Sequence, residues 1–264
     1  MLEAELAFVS TLDSLLDVVE AGIQETLKRL LFDSSPRNSR CRDDLAIIAV
    51  SLADASGSSG YGGVGMDFDI RGEQPNMIHL LNTSSKPFTR ITYTAAIDLL
   101  LHEHQDGEME FANPPVWGNG LSTEDEKWLA SHFNGPVFVT HYPKSLKPFY
   151  MLPSDADPDF ISPGHASHAA SESTVACFDL LFPGVGEMAG GSLREHRLDY
   201  LEAAIQDKGM DPKGYEWYLD LRRYGSVPHG GWGMGWERWI CWVTGVSNVR
   251  DVVAYPRWKG NCKY

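Results

Sequence analysis

The sequence predicts an α+β fold, an antiparallel sheet flanked by helices. Three observations predict it. Residues 11–31 repeat apolar side chains at helical spacing. Pro136–Thr140, Ala176–Phe182 and the Gly-rich His229–Met234 are apolar or flat runs of strand length. Helical stretches separate these runs without the strict alternation of a parallel βαβ array.

Each element follows in order. Leu12, Leu15, Leu16, Val19, Ile23, Leu27, Leu30 and Leu31 mark the inner face of the first helix, with Thr11 as N-cap and Asp13 in the first turn. Pro36 stops it. Residues 45–52 form a short apolar element, and Ala53 to Gly65 is a Gly/Ser/Ala loop. Ile91–Leu101 predicts a helix with Thr94 near its start. Ser122–Phe133 predicts another, with Ser122 as cap and Asp125 as a short stand-in for the capping-box Glu. Pro136–Thr140 is a buried strand with Pro148–Leu152 as its partner, and residues 153–172 are a loop. Ala176–Phe182 is the next strand. Leu193–Lys208 predicts a helix with Leu198, Leu201 and Ile205 inward and Gly209 as its stop. Tyr215–Tyr224 is helical, His229–Met234 a strand, and Trp236–Val243 opens the last helix.

Composition bounds the function. The 264 residues are 43% hydrophobic, enough for one substantial core. A formal net charge of −14 repels phosphate backbones, and the densest basic stretch, Arg37, Arg40 and Arg42, runs straight into Asp43 and Asp44. No nucleic-acid partner is expected on this ground. Cys41, Cys177, Cys241 and Cys262 form no CxxC pair, which speaks against structural zinc and for free thiols in a reducing compartment. The start has no basic-then-apolar leader pattern, and no run reaches the ~20 apolar residues of a membrane span. The expectation is a cytoplasmic protein without a membrane partner.

The chemistry concentrates in Gly231-Trp232-Gly233-Met234-Gly235-Trp236-Glu237-Arg238. Alternate glycines clear one strand face so that a flat ring can lie on the backbone, and an arginine opening the next helix suits a phosphate. Close packing of a helix on a sheet uses the same spacing. Asp179 and Glu187 have Arg194 and Arg197 as candidate ion-pair partners. Of the adjacent Arg222 and Arg223, one is expected to be structural. His229 is a candidate general base or a satisfied histidine at the sheet. His102, His104, His165 and His168 read as solvated loop histidines.

The segments Pro136–Lys144, Asp179–Glu195, Tyr218–His229, Gly231–Arg238 and Asn248–Asp251 occur in one order that resembles asparaginyl-tRNA synthetases. Pro183-Gly184-Val185-Gly186-Glu187, followed by Gly190-Gly191-Ser192, is specific to that branch, and Pro256-Arg257 and Gly260-Asn261 match its C-terminal end. The resemblance is dense from about residue 136 to 264 and sparser over 1–32 and 87–135. It implies a single class II synthetase-like catalytic domain over residues 1–264, with an unmatched insertion at about 33–86. It implies that Arg238 contacts ATP, that Gly231, Gly233 and Gly235 lie under the adenine, that Asp179 and Glu187 hold magnesium, and that Arg223 reads the amino-acid side chain.

Departures from the family pattern shape the functional expectation. Leu2–Phe8 resembles the end of the second motif 2 strand, so motif 1, the first motif 2 strand with its α-phosphate arginine, and the anticodon-binding barrel have no counterpart here. Trp232 and Trp236 stand where the family has phenylalanine, His141 replaces an acidic or amide residue, and Ser154–Ser173 is an unmatched loop. The leading expectation is a repurposed enzyme acting on a small molecule without charging tRNA. Arg223, Glu187 and His229 would be catalytic, Trp232 and the glycines would bind substrate, and no cofactor would be required. It carries the possibility of a homodimer with a non-family interface. The alternative is ATP- and magnesium-dependent asparagine activation and ligation to tRNA, alone or as part of a split enzyme. A non-enzymatic binding protein is the third reading.

Overall fold

The computed structural model describes residues 1–56, 75–106, 111–160 and 173–263. In chain order the elements are β1 (Leu2–Ala7), α1 (Leu12–Phe32), α2 (Pro36–Ser56), α3 (Pro75–Ser85), β2 (Thr89–Thr92), α4 (Tyr93–Gln105), α5 (Thr123–His132), β3 (Val137–Thr140), β4 (Cys177–Phe182), β5 (Gly186–Leu193), α6 (Leu198–Asp207), α7 (Glu216–Arg223), β6 (His229–Met234), α8 (Trp236–Thr244) and α9 (Val249–Val252). The strands form one six-stranded sheet in the order β1-β6-β5-β4-β3-β2. β3, β4 and β5 pair antiparallel, whereas β2 runs parallel to β3. The fold is α+β as read, and its sheet is mixed at one edge.

Side-chain alternation gives the sheet two apolar faces. Val137, Val139, Cys177 and Leu181 meet Tyr93, Ile97 and Leu100 of α4 and Leu129 of α5, all buried. On the other face Phe138 packs 5.4 Å from Phe178 and 5.8 Å from Phe88, ring centre to ring centre. Leu12, Leu15, Leu16 and Val19 of α1 are buried, and Leu15 lies against Gly230 on that same side.

Five local readings need correction. Thr89–Thr92 is a strand, so the helix expected from Ile91 starts at Tyr93. Its cap is Thr92, whose hydroxyl accepts from the Ala95 N–H at 3.2 Å. The β-branched run pairs with β3 before the chain turns into α4. Pro148–Leu152 does not pair with β3, since β4 occupies that side, and Met151 makes a single bridge to Arg194. Gly186–Leu193 is a strand, which moves the start of the following helix to Leu198. A segment with three glycines carries little strand propensity, and neighbours on both sides form it. Residues 45–52 belong to α2, which Pro36 opens at a first helical position where its missing N–H costs nothing. The loop expected at Ala53–Gly65 is helical as far as Ser56 and otherwise lies outside the described residues, as does 161–172. The Ser122 cap forms as read, with a full capping box through Asp125.

The contacts group the chain into two compact units. One comprises Glu3–Glu20 and Phe88–Gly233, and holds both faces just described. The other comprises Met1–Leu2, Ala21–Pro87 and Met234–Tyr264. In the latter, α2 and α3 pack on α8, Trp239 and Trp242 lie 5.6 Å apart, and Arg42 donates to the carbonyls of Leu31 and Asp33.

Candidate active site

The functional face belongs to the ends of β1, β6, β5 and β4, and glycines open it. A Cβ on Gly231 would lie 1.8 Å from Glu5 Oε2 and 2.7 Å from Arg194 Nη2. With glycine there, the Glu5 and Arg194 side chains take up that space. Arg194 donates from Nε to Glu5 Oε1 at 3.0 Å and from Nη1 to Ser192 Oγ at 2.7 Å. Its guanidinium carbon sits 5.2 Å from the Tyr150 ring centre, and its backbone N–H donates to the His229 carbonyl at 2.9 Å. The side chain is thus held on three sides. Its own exposure is 17%, against 52% for Glu5.

A second glycine hole lies further across the sheet. The point where a Cβ on Gly190 would sit is 3.2 Å from both Asp179 Oδ1 and Glu187 Oε1. Two carboxylates therefore converge on one place. The Glu187 N–H donates to Glu126 Oε2 at 3.1 Å, in a turn where Gly186 takes a φ of +81°. Lys147 Nζ donates to both oxygens of Asp179, at 2.9 and 2.7 Å, and lies 4.0 Å over the Tyr142 ring. Burial is the largest single effect on Lys147 and opposes its charge, but Asp179, Cys177 and Glu187 together hold the ammonium above its usual range. Burial raises the Tyr142 phenol well above its ordinary value, with Asp179 adding to it. Burial pushes the Cys177 thiol up to about 12 although Lys147 pulls the other way, so this cysteine is inert near neutrality.

Magnesium commonly takes one or two carboxylates and completes its shell with phosphate oxygens and water. Asp179 and Glu187, converging where a Cβ is absent, fit that donor set. Among the described residues no group of three or more His, Cys, Asp or Glu side chains is arranged to hold a metal by itself.

The remaining candidates are placed as follows. Arg223 ends α7, with 42% of its side chain exposed, and faces Asp220 and Glu202. Its neighbour Arg222 is the buried one, donating to the Glu195 carbonyl at 3.1 Å and the Tyr218 hydroxyl at 3.0 Å. The guanidinium that reaches the glycine face is Arg194. Neither Arg194 nor Arg197 takes Asp179 as its partner: they pair with Glu5 and Glu195. His229 Nδ1 lies 2.7 Å from the Val227 carbonyl and donates to it. Trp232 points away from Gly231, since successive residues of a strand face opposite sides. A Cβ on Gly191 would lie 2.7 Å from Trp232 Cβ and 2.6 Å from Phe178, so Trp232 belongs to the phenylalanine face. Gly233 alternates with it on β6. Trp236 is 47% exposed. In the other compact unit Gly235 caps α8, and a Cβ there would lie 3.3 Å from Arg238 Cδ. His102 is exposed beside Asp106, and His104 accepts from the Phe111 N–H at 3.4 Å. His165 and His168 lie outside the described residues.

Sequence reasoning passed over Glu5, Lys147 and the placement of Arg194. The available signal was an acidic residue at alternate positions of a six-residue strand, Glu3 and Glu5, and an arginine directly after a Gly-Gly-Ser-Leu strand end.

A mixed sheet whose glycines expose a guanidinium–carboxylate pair beside two converging carboxylates is the arrangement of a class II synthetase catalytic domain. The family model described as tRNA synthetases class II (D, K and N) matches residues 1–259, and the chain belongs to that family. The asparaginyl-tRNA synthetase of Mus musculus is 39% identical over 263 residues, 99% of this chain and 46% of that protein. The asparagine–tRNA ligase of Acetivibrio thermocellus is 48% identical over 179 residues, 67% of this chain and 34% of that protein. The crystal structure of the Pyrococcus horikoshii asparaginyl-tRNA synthetase complexed with asparaginyl-adenylate superimposes with a TM-score of 0.66 at 31% identity, covering 98% of this chain and 47% of that one. The chain spans about half the length of the curated relatives it matches.

These relatives overturn the expectation of a repurposed small-molecule enzyme. Proteins named as asparaginyl-tRNA synthetases match nearly the whole chain at 37–39% identity. Trp232, one of the enlarged aromatics that motivated the expectation, is also off the functional face, because it lies with Phe178. The family is one of enzymes, and among the described residues no helix is long and apolar enough to cross a membrane.

Proposed function

We propose that the protein activates asparagine with ATP and joins it to tRNA, and that this chain carries the part that reads asparagine. The Arg194–Glu5 pair over Gly231 carries the proposal. A carboxamide needs one donor for its carbonyl and one acceptor for its NH2, and the guanidinium and carboxylate supply one of each. Because Glu5 balances the charge on Arg194, an amide fits the spot better than a second carboxylate, which would face Glu5 with no free hydrogen to offer. Arg194 rather than Arg223 is therefore assigned the side-chain reading.

Asp179 and Glu187 would hold the magnesium that accompanies ATP. That ion, when bound, would offset charge on the phosphates. The cleared face of Gly231 and Gly233 is assigned to a flat ring. A cytoplasmic setting is part of the same proposal, supported by four unpaired thiols.

The test is amino-acid-dependent exchange of pyrophosphate into ATP, run with asparagine and with aspartate. Asparagine should drive exchange at least about tenfold better than aspartate, a difference of one hydrogen-bonding mismatch. Equal exchange with both, or none with either, overturns the proposal.

A further inference from the structure

We propose that Lys147 is a built-in cation on Asp179, which makes uptake of a divalent metal at the Asp179–Glu187 pair dependent on nucleotide. The proposal rests on the synthetase reading for the identity of the nucleotide, ATP.

The geometry is that of an occupied cation position. Lys147 Nζ meets both oxygens of Asp179, at 2.9 and 2.7 Å, so its contact spans the whole carboxylate. The two side chains are 17% and 18% exposed. Tyr142 lies on the other side of the ammonium, 4.0 Å away at its ring centre, and confines it. Asp179 Oδ1 is also the oxygen that shares the Gly190 hole with Glu187 Oε1. A divalent ion entering that hole competes with Lys147 for the charge of Asp179 and for its Oδ1.

Sharing the carboxylate of a mostly buried pair brings a second cation beside the ammonium, at a cost a bare hydrated cation does not recover. Nucleotide phosphates change both halves of that exchange. They add oxygen ligands for the metal, and they give the displaced ammonium a new anionic partner. Metal and nucleotide then enter together, and the carboxylate pair does not collect free divalent ions between turnovers.

Manganese(II) serves as the probe, with free ion followed by electron paramagnetic resonance. Three samples are titrated without nucleotide: the wild type, Lys147→Met, and Lys147→Met combined with Asp179→Asn. Lys147→Met should bind manganese at least about tenfold more tightly than the wild type, and adding Asp179→Asn should abolish that gain. In the wild type, a non-hydrolysable ATP analogue should tighten manganese binding by at least about tenfold beyond the analogue's own affinity for the ion. This arm needs no variant, and its failure overturns the proposal even if Lys147→Met fails to fold. Nucleotide-free wild type that binds manganese as tightly as the variant, or as tightly as the nucleotide complex, overturns the proposal. Such a result with asparagine-dependent exchange intact removes the Lys147 proposal alone. The expected order of affinities without any exchange removes the synthetase reading alone.

Discussion

Arg194 and Glu5 are 189 residues apart in the chain and 3.0 Å apart in space, and the gap between them exists because residue 231 has no side chain. The pair joins the first strand of the sheet to the end of β5 across β6. It is a bidentate charge pair, with Nε on Glu5 Oε1 at 3.0 Å and Nη2 on Oε2 at 3.3 Å, and it presents a donor group and an acceptor group side by side.

Exchanging Glu5 for Gln tests its role as acceptor. Without the negative charge, Arg194 becomes a net positive site. Asparagine-dependent kcat/KM should fall about tenfold while aspartate-dependent exchange rises. Arg194→Ala should lower the asparagine value by about 100-fold, because a charged hydrogen bond to the amide carbonyl is lost. Steady-state exchange kinetics with both amino acids check each outcome.

Gly231→Ala puts a methyl group 1.8 Å from Glu5 Oε2. The half-exposed carboxylate must swing aside, so asparagine KM should rise at least about tenfold, with a stability change of no more than about 1 kcal/mol. Calorimetry alongside kinetics separates the two effects.

The adjacent arginines should behave oppositely. Arg222 is buried against Glu195 and Tyr218, and Arg222→Met should destabilise the fold by about 2–4 kcal/mol by leaving those acceptors unpaired. Arg223 is 42% exposed in surface pairs, and Arg223→Ala should change stability by no more than about 0.5 kcal/mol. Urea denaturation of the two variants gives the comparison.

His141 predicts an acid-sensitive stability. Its φ is +58°, its ring lies 4.7 Å from Phe160, and its buried Nε2 has no hydrogen-bond partner. Burial lowers its pKa to about 4, against 6.5 for the free side chain. Between those values the unfolded chain binds more protons than the folded one, so stability is complete above pH 6.5 and falls as pH drops toward 4. The contribution is about 3 kcal/mol at most. His141→Asn tolerates the positive φ and should flatten the urea midpoint over that window relative to the wild type.

Much of the scaffold was legible in local sequence. The leucine period of α1, the Ser122–Asp125 capping box, the apolar strands β3 and β4, and Gly209 after α6 all rest on interactions within a few residues, and such interactions are written in spacing. The order of motifs was enough to point to the synthetase family. β5 was not legible, because a Gly-rich strand is held by its neighbours rather than by its own propensity.

The site itself was decided by tertiary structure. Which of several arginines faces the glycines depends on the pleat and register of β4, β5 and β6, and these turn Arg194 inward and Trp232 to the opposite side. Lys147 finds Asp179 across 32 residues, and Glu5 finds Arg194 across nearly the whole chain. A sequence lists charges without their partners. Only the sheet brings together the ones whose burial, pairing and open faces give the site its chemistry.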